Sequence, residues 1–487
     1  MATERGGDKW EGFPTRGTFA CLALGCLVFA WYVSLLPFRL EWVPLRDAVS
    51  DFVDMMSSWP ATVPRVNFLA NALMFVPVGF GFYGAFQTDR KDRFAGGAVI
   101  GSLVASVAGS LTAEFLQEFA PGRVVASPDV VAQTLGAMTG VVLWLIAGPD
   151  LVHWIRDTRR DTHHDRATRA LVAYLAFWAF VNLAPFDITL NVDRLGQRWR
   201  EGEIVLIPFT SNLPWTRLAW DAVVTAVSAI PIGTLLLVGW QPRGERRGLL
   251  SAVWLGVVIL AALETAQIFI RSHGADMTDV VCGMLGVLAG AAIGAQIFDR
   301  SPNTRSRATS GLWGWTGMAV WCVMLAAYHW QPFDFVVDGD MIRERLARVS
   351  LIPLAGYRSG SDLNAFNTLL AKLGMAVPFG VAASLALHGL RKRPAIFTLM
   401  WMMLAAIVFS VMEFGQFFLP TRVPDPSDVG LGIAGSAGGV WLARWLQAGY
   451  EVRHPQRVSH LSSPSVVRDR AQTGMLLSRK KMEGQEE

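Results

Sequence analysis

A glutamate and a glutamine three residues apart, followed at fixed distances by an arginine and an aspartate, occur three times in this sequence. Glu114 and Gln117 precede Arg123 and Asp129, and Glu413 and Gln416 precede Arg422 and Asp428 at identical offsets. Glu264 and Gln267 precede Arg271 and Asp279, with the arginine two residues early. A spacing of three puts acid and amide on one helix face. An aspartate that opens the next helix is favoured by the positive end of its dipole. Acid, amide and guanidinium converging at one corner fit three chemistries. Arginine can clamp both carboxylates and lock a helical hairpin. Arginine with amide donors can bind the phosphate of an anionic head group. Two carboxylates can form an acid/base pair, although no serine or cysteine nucleophile recurs beside all three copies. Metal ligation lacks histidines apart from His273, so neither metal nor cofactor is expected.

The elements that must position these residues are membrane spans. Hydrophobic residues make up 52% of the chain and charged residues 17%, with a mean hydropathy of +0.36, which disfavours an ordinary soluble domain. Gly96 to Leu111, Leu249 to Ile270 and Ile396 to Val411 are each long enough to cross a hydrocarbon core. The net charge of +4 does not indicate nucleic acid, because the basic residues sit in short loops and a polar tail. Cys21, Cys26, Cys282 and Cys322 lie in apolar segments without metal-ligand spacing. Arg5, Lys9 and Arg16 precede an apolar run from Thr18 to Pro37, longer than a signal-peptide core and read as an uncleaved first span.

Further marks recur in the same order. Each repeat opens with Pro-Phe (Pro37-Phe38, Pro185-Phe186, Pro332-Phe333) and continues with Pro-x-Gly (Pro77/Gly79, Pro231/Gly233, Pro378/Gly380). A basic loop follows, and the fourth span carries paired glycines (Gly136/Gly140, Gly286/Gly290, Gly435/Gly439) that suit close helix packing. Three tandem units follow, 17–148, 168–298 and 311–447, joined by connectors 149–167 and 299–310. Segment 1–16 precedes them, and a disordered tail is expected from 448. Each unit holds four spans, which predicts an all-α membrane protein of about twelve transmembrane helices in three parallel four-helix repeats. A pseudo-threefold arrangement is the natural expectation, with a linear array as its alternative. The positive-inside bias places both termini in the cytoplasm. The arginine-bearing loops after Phe186 and Phe333 then lie outside, as interfacial helices. Within the second spans, Asn67 and Asn71 of unit 1 correspond to Asp221 and Thr225 and to Thr368 and Lys372, and Lys372 invites a site reading.

At these residues the chain resembles the VanZ-like family. Unit 1 carries its pattern closely: Asn67-Phe-Leu-Ala-Asn71, then Phe75-Val-Pro77-Val-Gly79, then Glu114 to Gly140. The third unit matches in its second half and the second more loosely. The resemblance implies a multi-pass protein of the bacterial cytoplasmic membrane, in a family named for a protein associated with teicoplanin resistance. It lends no catalytic residue. The leading expectation is a non-enzymatic protein whose outward corners bind a lipid-linked or envelope ligand, a lipid-linked envelope precursor among them, with membrane lipids as its other partners and glycopeptide tolerance as one outcome. A transporter or lipid flippase and an intramembrane enzyme are the alternatives, and one unit binding while the others scaffold is a further one.

Overall fold

The computed structural model describes residues 13–60, 63, 65–90, 92, 94–121, 125–157, 163–184, 186–211, 214–239, 245–298, 305–359 and 362–451. Arg123, the first twelve residues, the tail beyond 451 and the loop cations Lys91, Arg93, Arg159, Arg160, Arg243 and Arg300 lie outside them. Unit 1 comprises α1 (Arg16–Leu35), α2 (Leu45–Ser57), α3 (Arg65–Gln87), α4 (Gly96–Gln117) and α5 (Ser127–Asp157). Unit 2 comprises α6 (His163–Leu183), α7 (Val192–Arg200), α8 (Trp215–Gly239), α9 (Glu245–Gln267) and α10 (Met277–Phe298). Unit 3 comprises α11 (Arg305–Trp330), α12 (Gly339–Arg348), α13 (Asp362–Ala386), α14 (Pro394–Gln416) and α15 (Ser427–Glu451). Each unit is therefore four long helices plus one short one, inserted after the first. Helix α5 runs on to Asp157 and α6 starts at His163, so most of the connector expected at 149–167 is helix.

Local chemistry sets several boundaries. Thr15 and Thr18 form a capping box that starts α1, and Pro394 pre-sets φ at the first turn of α14. The phenylalanine of each repeated Pro-Phe mark follows the end of its first span, with Pro185 outside the described residues. Phe38, Phe186 and Phe333 adopt φ of 58°, 58° and 66°, a left-handed conformation that usually falls to glycine at helix ends. Their N–H groups donate to the carbonyls of Leu35, Leu183 and Trp330 at 2.8, 2.8 and 2.7 Å. The turn redirects the chain into the short helix α2, α7 or α12. Two short strands, Ile204–Val205 (β1) and Ala275–Asp276 (β2), pair in parallel beside α7 with Ile204 opposite Ala275.

Ten of the twelve long helices are long and apolar enough to cross a membrane. Helices α6 and α15 are as long but more polar, and they pack against each other. Arg166 of α6 donates to the Trp445 carbonyl at 2.6 Å and lies 5.8 Å from the centre of its ring. Contact with a neighbouring helix thus shelters what lipid would not. The protein is a multi-pass, all-α membrane protein built of three repeated helical units. Unit 3 touches both of the others: α13 lies against α3 and α6, and Tyr32 donates to the Pro353 carbonyl at 2.7 Å.

Within every unit the second and fourth spans cross backbone to backbone. A Cβ added to Gly136 or Gly140 would lie 2.0 or 2.1 Å from the carbonyl oxygens of Ala72 or Val76. Gly286 and Gly290 stand 1.9 and 2.0 Å from Ala226 and Ile230 in the same sense, and Gly435 and Gly439 2.2 and 2.0 Å from Leu373 and Val377. The glycine of each Pro-x-Gly answers from the other side, Gly79 against Ala137, Gly233 against Val287 and Gly380 against Ser436. Helices α3, α8 and α13 continue through Pro77, Pro231 and Pro378. The motif therefore serves close packing in unbroken helices.

Candidate functional site

Each corner is built by the end of a third span and the start of a fourth. The glutamate of each accepts the backbone N–H twelve residues on. Glu114 takes Ala126 N at 3.4 Å, Glu264 takes Asp276 N at 3.2 Å and Glu413 takes Asp425 N at 2.5 Å. An amide at a helix start has no intrahelical acceptor, so the carboxylate locks the hairpin by satisfying it. Gln117 and Gln416 donate to Glu114 and Glu413 at 3.3 and 3.0 Å, whereas Gln267 turns to the Asn182 carbonyl at 3.2 Å. Glu114, Gln117, Gln267, Glu413 and Gln416 are all buried. In units 2 and 3 the same loop also carries an aspartate cap: Asp276 accepts from Thr278 N at 2.7 Å, and Asp425 from Ser427 N at 2.9 Å. Ala126 stands there in unit 1.

The aspartates of the fourth spans meet the second spans. Thr225 donates to Asp279 at 3.0 Å. Lys372 and the Tyr357 hydroxyl both contact Asp428, and the lysine Nζ lies 5.0 Å from the centre of the tyrosine ring. In unit 1 the corresponding Asn71 accepts from Gln133 at 3.0 Å, one turn along from the half-buried Asp129. Asn71, Thr225 and Lys372 each stand six residues before the proline of their span, so one register position varies from amide to hydroxyl to ammonium. Asn67, a turn earlier, is exposed.

The arginines do not converge on the carboxylates where they are described. Arg422 donates to the carbonyls of Gln331 at 2.9 Å and Tyr328 at 3.3 Å, at the end of α11. Arg271 is exposed, and its backbone N–H donates to the Asp187 carbonyl at 3.2 Å. Helix-terminal carbonyls lack internal donors, and a guanidinium near a helix end can supply them. Two other arginines tie the corners from outside. Arg345 of α12 donates to the carbonyls of Gln416, Arg422 and Pro420 at 2.9, 2.8 and 2.7 Å. Arg198 of α7, itself buried, pairs with Glu203 at 2.7 Å, donates to the Ile268 carbonyl at 2.7 Å and reaches the His273 carbonyl. Both stand twelve residues after the phenylalanine of Pro-Phe, a spacing that would have singled them out.

A histidine also enters one corner, against the expectation that His273 alone was at hand. His329 of α11 is buried, with Nδ1 3.1 Å from Gln416 Nε2. Ligand atoms of His329, Glu413 and Asp428 lie within 4.8 Å of one another, close enough to hold a metal ion. The Lys372 ammonium already sits on Asp428 and would oppose a second cation there. One carboxylate of this donor set is therefore already paired with a cation of the protein itself.

The VanZ/LLP1 family model matches the chain three times, over residues 19–148, 171–298 and 315–447. These segments coincide with the three helical units. No curated protein and no solved structure matches the chain.

Proposed function

The chain belongs to the VanZ/LLP1 family, and from that membership and its corner chemistry we propose a protein of the bacterial cytoplasmic membrane that binds the anionic head group of a lipid-linked envelope ligand. The observation that carries this reading is Lys372. It is the ammonium at a register position where the other units have Asn71 and Thr225, and its side chain keeps 21% exposure while contacting Asp428. A phosphate exchanging with Asp428 would meet Lys372 and the Tyr357 hydroxyl together. Units 1 and 2 would serve as scaffold, their glutamates spent on hairpin locking. Raised tolerance to glycopeptide antibiotics is the cellular outcome this reading anticipates.

In the proposed orientation the corners face outward and both termini lie in the cytoplasm. Supporting it, Arg16 and Arg156 gather at the opposite end of unit 1, on the Thr88 carbonyl at 2.8 Å and on Asp89 at 2.6 Å. The test uses nanodiscs doped with a polyprenyl phosphate. Binding should be saturable in the wild type and lost in K372M/D428N, which removes both charges and leaves neither stranded. Wild-type affinity in the double variant would refute unit 3 as the binding copy.

A further inference from the structure

Ser102, Ser106, Ser110 and Glu114 follow one another on α4 at intervals of four residues, which stacks them on one face. Their exposures are 0%, 1%, 0% and 0%. At 1.5 Å per residue the row is about 18 Å long, against a hydrocarbon core of about 30 Å. The hydroxyls of Ser102 and Ser106 donate to the carbonyls of Ala98 and Ser102 at 2.7 and 2.8 Å, and their oxygens keep lone pairs that can accept. Ser110 Oγ has no hydrogen-bond partner among the described residues. Neither has Oε1 of Gln133, a residue of α5 with 1% exposure. Two unpaired polar groups this deep are costly unless something satisfies them, and internal water is the usual answer where a site is polar.

The other two units display the same positions in an apolar form. Four residues before the corner glutamate stand Leu260 in unit 2 and Phe409 in unit 3, where unit 1 has Ser110. Four residues after the corner aspartate stand Gly283 and Gly432, where unit 1 has Gln133. These pairs touch: a Cβ on Gly283 would lie 2.8 Å from Leu260 Cδ2, and one on Gly432 2.3 Å from Phe409 Cγ. A large apolar side chain fills the space over a glycine in both. Unit 1 carries a hydroxyl and an amide at those two positions. The rest of the row agrees, since Ser102 and Ser106 correspond to Ala252 and Gly256 and to Trp401 and Ala405.

We propose that unit 1, unlike units 2 and 3, holds an internal file of water that runs from Glu114 past Ser110 and Gln133 toward Ser106 and Ser102. Its ligand is water, and the file brings aqueous access from the corner to membrane depth. The inference rests on the interior of unit 1 and is independent of the head-group reading of unit 3.

The test compares two cysteines in a background lacking the four native ones. S106C lies in the file, and A405C occupies the same register in unit 3. The probe is aminoethyl methanethiosulfonate, which modifies hydrated thiolates. S106C should react many-fold faster than A405C, and adding S110L/Q133G, the pair that unit 2 carries, should slow it to the A405C rate. Equal rates for the two cysteines, or a rate that S110L/Q133G leaves unchanged, would overturn the proposal. Thermal unfolding provides a second reading that does not depend on labelling. A water-paired Ser110 predicts that S110A lowers Tm, and a dry, unpaired hydroxyl predicts that S110A raises it.

Discussion

The Nζ of Lys372 on α13 rests against Oδ2 of Asp428 on α15, in the place where unit 2 sets the Thr225 hydroxyl 3.0 Å from Asp279. Removing one partner of a sheltered ion pair strands the other charge, at a cost of about 3 kcal/mol. K372M should therefore lower stability by that order, and D428N should restore most of it when combined. A thermal double-mutant cycle in detergent checks this. Strictly additive single effects would mean that the two residues are not coupled.

Arg345 satisfies the last carbonyl of α14 and two carbonyls of the loop between α14 and α15. R345A should cost about 2 kcal/mol, since hydrogen bonds to charged donors are the stronger kind. R345K should recover little, because an ammonium lacks the planar fork. In unit 1 the position twelve residues after Phe38 is Ser50, which is exposed, and S50A should be silent. Comparison of the three unfolding temperatures decides the matter.

Adjacent glycines of α15 should behave oppositely. A Cβ at Gly439 would lie 2.0 Å from the Val377 carbonyl oxygen, whereas one at Gly438 meets nothing within 4 Å. G439A forces two backbones apart and should destabilise by about 2 kcal/mol or more. G438A should be neutral or slightly stabilising, as alanine favours helix. Yield of monodisperse protein and Tm report both, and equal tolerance would contradict the backbone crossing of α13 and α15.

The loop after α3 predicts a weak acid sensitivity. A hydrogen bond from Arg156, aided by its charge, holds the Asp89 carboxyl below the usual carboxylate range. The unfolded value is about 3.9. The pair's contribution is thus complete above that pH and is lost as pH falls through the lower folded value. With the aspartate side chain 51% exposed, solvent screening limits the effect to about 1 kcal/mol or less. D89N should flatten the acid limb of a Tm-against-pH curve by that amount.

Proposed topology is checked by single cysteines at Val423 and Asp89, in the corner loop of unit 3 and at the opposite end of unit 1. An impermeant maleimide should label V423C in intact cells and D89C only after lysis. Labelling of both from the same side would reject the orientation.

Hydrophobic length and the order of repeated motifs are local properties, which is why the three units, their long helices and the shared face of Glu413 and Gln416 could be read from the chain alone. The glycine pairs were legible for the same reason, since only a missing side chain lets backbones meet. What each polar group touches was decided in three dimensions. A guanidinium with five N–H groups donates to any carbonyl within reach, and the packing of α11 brought Arg422 to Gln331 and Tyr328 instead of to an acid. Lys372 and Asp428 lie 56 residues apart, so only the crossing of second and fourth spans could join them. The same crossing geometry opposes Leu260 to Gly283 and Phe409 to Gly432, and it is the absence of those apolar pairs from unit 1, at Ser110 and Gln133, that distinguishes its interior.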